Sequence, residues 1–311
     1  MTRPAGIALD DISVAVCTFR RDSVTDTLQS IAASRARDAC REIIVVDNDD
    51  DRSAEARIVK AASDCGLIVR YLHAPSRNIS IARNAALTSA KGRWLAFVDD
   101  DETVDAEWLA KLAAVAGRHA AVIGSTNARY APDAPTWLRL CDFHSSAMND
   151  RPESAYAGNA LIDLQFVWQH RMTFDLSLGK TGGEDTLFFR QIADLGGRIL
   201  YCPSSVVNEP VPSSRATLSW VLKRKFRSGQ SHGDMMERTG RMTAGRRILL
   251  PIRAGAKAVA CLGMAALQVA RPAGWRKWLA RGALHAGVVA HSTGMATLEE
   301  YRSVPNASIS P

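Results

Sequence analysis

Four consecutive β-branched residues, Ile43-Ile-Val-Val46, leave no polar position to face solvent. Such a run fits a strand covered on both faces, and that environment belongs to parallel sheets with crossover helices. The flanking sequence supplies those helices. Ile12–Cys17 reads as a first strand, followed by a helical pattern over about 23–33 in which Ser23 and Asp26 form a capping-box pair. After the second strand, a helix over 53–64 stops at Gly66, and 67–72 gives a third strand. A helix over 80–90 ends near Gly92, and Trp94–Val98 gives a fourth strand. The βαβαβαβ order predicts a mostly parallel sheet with helices on both faces.

The chain has 311 residues, 47% hydrophobic and 23% charged, which suits one large or two small globular domains and excludes a disordered one. Its opening, MTRPAGIALDDIS, has no apolar stretch of signal-peptide type. The six cysteines are scattered without a C-x-x-C pair, against a disulfide framework or structural zinc and in keeping with a reducing cytoplasm. Charge is distributed unevenly. Residues 1–214 carry 23 basic and 28 acidic side chains, whereas residues 215–311 carry 16 and 4. The tail therefore seeks the anionic partner: a membrane face, nucleic acid or a phosphorylated substrate.

Neither G-x-G-x-x-G nor a P-loop follows the first strand. Ligands of open α/β sheets bind beyond the carboxyl ends of the strands. There the sequence places Thr18, Phe19 and Arg20, then Asp47 and Asn48, then Asp99-Asp-Asp-Glu102. Carboxylates this close repel unless a hard divalent cation sits among them. The competing reading makes them acids at the start of a helix over 105–116. Asp47 ends a buried run and needs a partner, while Asp49 to Asp51 suit a solvated turn. Glu184 and Asp185 open a helical segment over 186–195, either as helix-terminus acids or with one aimed as a general base.

Val14-Ala-Val-Cys-Thr-Phe-Arg-Arg21, Ile44-Val-Val-Asp-Asn48, Asn78-Ile-Ser-Ile-Ala-Arg-Asn-Ala86, Phe97-Val-Asp-Asp-Asp-Glu102, Gly158-Asn159 and Gly183-Glu-Asp185 occur in this order. Together they resemble an inverting family 2 glycosyltransferase of GT-A fold, of the bacterial exopolysaccharide and surface-glycan type. The resemblance spans roughly residues 11–230 and implies a catalytic domain at 1–230, with a helical basic extension at 231–311. It implies a nucleotide-diphosphate sugar donor, with UDP as the expected nucleotide. Thr18, Phe19, Arg20, Asp47, Asn78, Arg83, Asp99 and Asp100 would line the donor site, with Asp99 near the ribose and Arg224 and Arg227 clamping the diphosphate. Asp101 would bind Mg²⁺ or Mn²⁺. Many relatives have a histidine near position 208 as a further ligand; here Asn208 and Glu209 stand there, which leaves Glu209 as the oxygen donor. Gly158, Asn159 and Glu184 would face a glycan or lipid-linked acceptor, and Asp185, beside Glu184, would be the catalytic base. The processive Q-x-x-R-W signature is absent, so addition of a single sugar is expected.

Three other readings compete. A non-catalytic nucleotide- or glycan-binding module would have no need of both Asp101 and Asp185. A nucleic-acid protein is opposed by the acidic sheet edge and the lack of a recognisable binding signature. A sugar nucleotidyltransferase would carry a glycine-rich basic loop after strand one, and Thr18-Phe-Arg-Arg-Asp22 has no glycine.

Residues 248–270 are apolar but interrupted by Pro251, Arg253 and Lys257, which leaves an uncharged core of thirteen residues, Ala258 to Ala270. That is short of the ~20 a spanning helix needs. Flanking arginines with Trp275 and Trp278 suit a helix lying on an anionic cytoplasmic leaflet, and the protein is then expected in the cytoplasm, peripheral on the inner membrane. The alternative is a helical pair packed on the catalytic domain. Residues 126–157 are expected to form acceptor-side loops, and His144 and His170 to be ordinary polar residues.

Overall fold

The computed structural model describes residues 6–146 and 155–298. Positions 147–154 of the expected acceptor-side loops, and the first five residues, lie outside the described residues. The chain divides into two compact units.

The first unit comprises 1–129, 145–180 and 184–210. Its amino-terminal half alternates β1 (Ile12–Thr18), α1 (Val24–Ala33), β2 (Glu42–Asp47), α2 (Glu55–Asp64), β3 (Val69–His73), α3 (Ile79–Ser89) and β4 (Trp94–Asp99). Then come β5 (Thr103–Val104), α4 (Trp108–Ala116) and β6 (Ala121–Tyr130). Beyond α5 (Thr136–Cys141) the chain returns with β7 (Asn159–Asp163), α6 (Leu164–Gln169), α7 (Glu184–Asp194) and β8 (Ile199–Val211). The eight strands form one sheet in the order β3-β2-β1-β4-β7-β6-β8-β5.

β3, β2, β1 and β4 are parallel, as the apolar runs predict. The other half is not: β4–β7, β6–β7 and β5–β8 are antiparallel, so the sheet is mixed. Side-chain alternation gives the sheet two cores. Val14, Val16, Ile43, Val45 and Trp94 pack on one side with Leu28, Ile31, Ile58, Trp108 and Leu112 of α1, α2 and α4. Ala15, Ile44, Val46, Leu95 and Phe97 pack on the other with Ala82, Ala86, Phe188, Phe189 and Ile192 of α3 and α7. Each fully buried Ile, Leu or Phe contributes roughly 1.5–3 kcal/mol by leaving water, and the buried polar Ser13 is accommodated by donating to Glu42 at 2.9 Å.

Two local expectations are corrected. Ser23 has helical dihedrals (φ −59°, ψ −19°) and its side chain makes no cap bond, so the Ser23–Asp26 box does not form. The helix after the acidic run begins only at Trp108, with no acid in its first turn, because Thr103–Val104 pairs with β8 instead. The carboxylates at 99–102 are therefore not helix-terminus acids.

The second unit comprises 130–144, 181–183 and 211–311. Its helices are α8 (Leu218–Arg238), α9 (Ala244–Leu267) and α10 (Gly274–Ser292). A boundary drawn at residue 230 falls inside α8; the tail begins near Val211 and recruits α5. α8 and α10 meet at glycines: a Cβ on Gly287 would lie 1.9 Å from the Phe226 carbonyl, so the backbones touch directly. Leu138, Val221 and Ala280 form a small core beside which His144 stacks on Trp220 at 4.9 Å. α9 runs unbroken for 24 residues through Pro251, Arg253 and Lys257. By length and composition it could cross a membrane. Charged residues do not end a helix, so the thirteen-residue uncharged core understated its length.

Candidate active site

Strand register builds the site. Thr18 pairs with Asp47 and Cys17 with Asp99, which sets the carboxyl ends of β1, β2 and β4 in one row. β4 then turns through Asp100, Asp101 and Glu102 into β5. Thr103 pairs with Asn208, and one antiparallel step along that register brings Glu209 opposite Glu102. The two carboxylates are within electrostatic reach of each other.

The acids differ in their partners. Asp100 is buried and accepts hydrogen bonds from Thr18 Oγ1 (2.8 Å) and Arg21 Nη1 (3.1 Å). Arg21 also pairs with Asp101. Glu102 is buried, with Oε1 accepting from Thr126 Oγ1 at 3.1 Å and Oε2 from the Asp99 amide at 3.3 Å. The Asp99 side chain keeps 46% exposure and faces Arg83 Nη2 at 3.4 Å. Arg83, itself buried, pairs at its other end with buried Glu184 at the start of α7. Burial alone would lower the Arg83 pKa, yet Glu184 and then Asp99 hold it above its usual value. Arg83 thus ties the end of β4 to the Glu-Asp pair. Asp185, half-buried, accepts from the Thr186 amide at 2.6 Å, and its carboxyl is within electrostatic reach of both Arg83 and Asp99.

Gly158, in the turn before β7, lets these carboxylates close up. A Cβ there would lie 2.9 Å from Asp99 Oδ2 and 3.1 Å from Glu102 Oε2. Asn159 is buried, and its amide nitrogen donates to the Ser125 and Ser205 carbonyls, both at 3.1 Å. Among the described residues its Oδ1 has no hydrogen-bond partner.

Other residues expected in the donor site are held by structural bonds. Asp47 accepts from Tyr71 Oη (2.8 Å) and from the Asp49 and Ala54 amides. Asn78 caps α3 through the Ser80 and Ile81 amides and donates to the Leu176 carbonyl at 2.8 Å. Arg20, at φ +53°, stacks over Phe19 at 5.3 Å and donates to Asp49 at 2.8 Å. Asp49 is buried, which corrects its placement in a solvated turn. Arg224 and Arg227 lie on α8 of the second unit. Three cluster members escaped sequence reasoning: Arg21, Glu102 as a buried group, and Asp49. Arg21 pairs with Asp100, Glu102 with Thr126 and Asp49 with Arg20, all contacts between segments distant in sequence.

Charge here is in surplus. Desolvation, and then neighbouring carboxylates, push Glu102 well above the usual range. Desolvation pushes Asp100 to about 7 despite Arg21. Among the described residues no three His, Cys, Asp or Glu side chains could hold a metal by themselves. The donor set still fits a hard divalent ion. Mg²⁺ commonly takes one or two carboxylates and completes its shell with phosphate oxygens and water, and the cluster offers oxygen ligands and excess negative charge.

The raised Asp100 sets a pH dependence. The folded state keeps a proton that the unfolded chain has lost, so stability falls as pH rises from about 4 to about 7. Each unit corresponds to ~1.4 kcal/mol, so the decline amounts to a few kcal/mol. Thermal melts across this range in chelator should show it, and Asp100→Asn should make the slope shallower, with Asp99 and Glu102 keeping the remainder. An unchanged slope in the variant would remove Asp100 as the cause.

The glycosyl transferase family 2 model matches residues 13–177, over half of the chain. The chain belongs to glycosyl transferase family 2. It is 40% identical over 297 residues to the succinoglycan biosynthesis protein ExoM of Rhizobium meliloti (strain 1021), covering 93% of this chain and 95% of that one. It is 23% identical over 239 residues to the glucosyl-dolichyl phosphate glucuronosyltransferase of Haloferax volcanii, covering 71% and 75%. Among solved structures it resembles the mannosyltransferase PcManGT from Pyrobaculum calidifontis, in complex with GDP-Man and Mn²⁺. The TM-score is 0.59 at 18% identity, over 91% of this chain and 90% of that one. GalNAc-T7 with UDP, GalNAc and Mn²⁺ gives 0.53 at 18% identity, over 69% and 47%. The protein is a glycosyltransferase with the GT-A fold. The family match ends before Glu184 and Asp185, so those two rest on the geometry around Arg83.

Proposed function

We propose that this glycosyltransferase moves a single sugar from a nucleotide-diphosphate donor, with UDP as the expected nucleotide, to a hydroxyl of an exopolysaccharide precursor, with inversion. The observation that carries the reading is Asp185. It is a half-exposed carboxylate joined through Glu184 and Arg83 to the acids at the end of β4. Asp185 takes the proton of the acceptor hydroxyl as that oxygen attacks the anomeric carbon. The bond to the diphosphate breaks, and the leaving group departs with the electron pair. Thr18 and the row at the ends of β1 and β2 border the nucleotide. Arg83 fixes Asp99 and Glu184 relative to one another. Gly158 and Asn159 border the acceptor side.

Asp101, with Glu209 across the β5–β8 pair, would hold a divalent Mg²⁺ or Mn²⁺. Bound there, the ion would neutralise charge on the departing diphosphate as a Lewis acid. Mn²⁺ and nucleotides in two structures of the same fold support this donor chemistry. The Rhizobium relative's name supports the exopolysaccharide role. The basic tail supports a lipid-linked acceptor used at the cytoplasmic face of the inner membrane.

The test is thermal stabilisation by UDP, GDP and CDP, with and without Mn²⁺. One nucleotide should raise the melting temperature in the presence of metal, and Asp101→Ala should abolish the rise. If no nucleotide shifts the melt, the donor reading fails.

A further inference from the structure

The helical unit contains a cavity of about 400 Å³ whose lining includes three cations and no carboxylate. Lys225 enters from α8, and Lys277 and Arg281 from α10. Trp278, Phe143 and Cys141 form the remaining wall, with Arg281 over the Trp278 ring at 5.0 Å. Burial, then Arg224, lowers the Lys225 pKa, so an anion brought beside it would be stabilising. Three cations around one hollow repel each other until an anion of comparable charge enters. A phosphate or diphosphate supplies that charge, and the aromatic wall accepts the carbon chain attached to it.

α9 states where such a chain would lie. Ala254, Cys261 and Ala265 are buried, so that side faces protein. Ile248 (69% exposed), Ile252 (61%), Val259 (69%) and Leu262 (56%) recur at helical spacing on a different face, in the open. Arg253 and Lys257 are both exposed and stand one turn apart along the helix. Gln268, which caps α9, also lines the cavity. The carboxyl end of α9 therefore borders the cationic hollow, while its apolar stripe faces away from the protein. An exposed aliphatic stripe accompanied by basic residues matches an anionic membrane surface. A spanning pose would carry Arg253 and Lys257 into hydrocarbon at ~2.5–3.5 kcal/mol each, so the helix lies along the surface.

We propose that the helical unit is a lipid-phosphate receptor: the Lys225–Lys277–Arg281 cavity binds the phosphate or diphosphate headgroup of a polyprenyl lipid while the exposed face of α9 rests in the membrane interface. This deepens the reading of a lipid-linked acceptor and rests on it for the identity of the lipid.

The experiment is co-sedimentation of the full chain at low salt with three vesicle types: phosphatidylcholine alone, with phosphatidylglycerol, and with a polyprenyl diphosphate. The wild type should prefer the polyprenyl diphosphate vesicles. The double variant Lys277→Gln, Arg281→Gln alters two exposed residues and should lose that preference, with binding roughly tenfold weaker or more. Ile252→Ser with Val259→Ser, also exposed, should weaken binding to every anionic vesicle by about tenfold. Equal binding to both anionic vesicles, unaffected by the cation variant, would overturn the cavity assignment. Free inorganic diphosphate is the other arm. If it raises the melting temperature through Lys277 and Arg281 while lipid diphosphate brings no gain in sedimentation, the ligand is a soluble anion and the lipid assignment falls. Nucleotide-induced thermal shifts measured on the same samples separate the two readings: lost vesicle binding with the shift intact sinks only this inference, and the reverse sinks only the donor site.

Discussion

Asp185→Asn should lower turnover by ~10²–10⁴-fold, the usual contribution of a positioned general base, while leaving nucleotide affinity within a few-fold of wild type. The reason for choosing Asp185 over its neighbour is geometric. Glu184 is buried with one oxygen on Arg83, so it cannot both hold that cation and accept a proton from an incoming sugar. Asp185 reaches solvent, and its bond is to the Thr186 amide at 2.6 Å, which an asparagine oxygen can keep. The variant should therefore fold and bind donor normally, and its defect should lie in the chemical step. Single-turnover kinetics with saturating donor would isolate that step. A variant that transfers sugar at the wild-type rate would mean that another group removes the proton.

The distinction between these two acids could not be drawn from the sequence, because adjacent residues at a helix start look alike until their partners are known. The parallel half of the sheet could be. Ile43–Val46 and Trp94–Val98 are nearly pure apolar runs, and every gap between the first four strands carries a helical pattern. β6 mixes Ser, Thr and Asn into its length, and β8 mixes Ser and Asn and carries Pro203 and Pro210, so neither shows a clean period. Their pairing is fixed by tertiary contact, and with it the approach of Glu209 to Glu102. The candidate acids could be read for a simple reason: a carboxylate directly after a buried strand has nowhere apolar to go. Arg21 and Asp49 could not, since one looked like part of a basic turn and the other like part of an acidic one. Arg83 lies between these cases. The motif placed it in the donor site, but that it spans Asp99 and Glu184 follows only from the packing of α3 against the sheet.

That brace carries the largest expected effect on stability. Arg83→Met leaves the buried Glu184 without its guanidinium, and breaking a buried pair from one side costs about 3–5 kcal/mol. Glu184→Gln should cost less, because Arg83 still faces Asp99 at 3.4 Å and lies over the Phe174 ring at 5.6 Å. With both replaced, no uncompensated charge remains between them, so the double variant should be more stable than Arg83→Met alone. Urea denaturation of the four proteins closes the cycle, and a coupling of 0.5–3 kcal/mol, the order expected of contacting residues, is the predicted outcome. Strict additivity would mean that the two side chains do not act as a pair. Activity should follow a different pattern. The double variant regains stability but has nothing to hold Asp99 and the start of α7 in register, so transfer should stay low even where the protein is fully folded. Recovery of both together would make Arg83 a purely structural residue. Recovery of stability alone would identify it as the group that positions the donor-side carboxylate against the base.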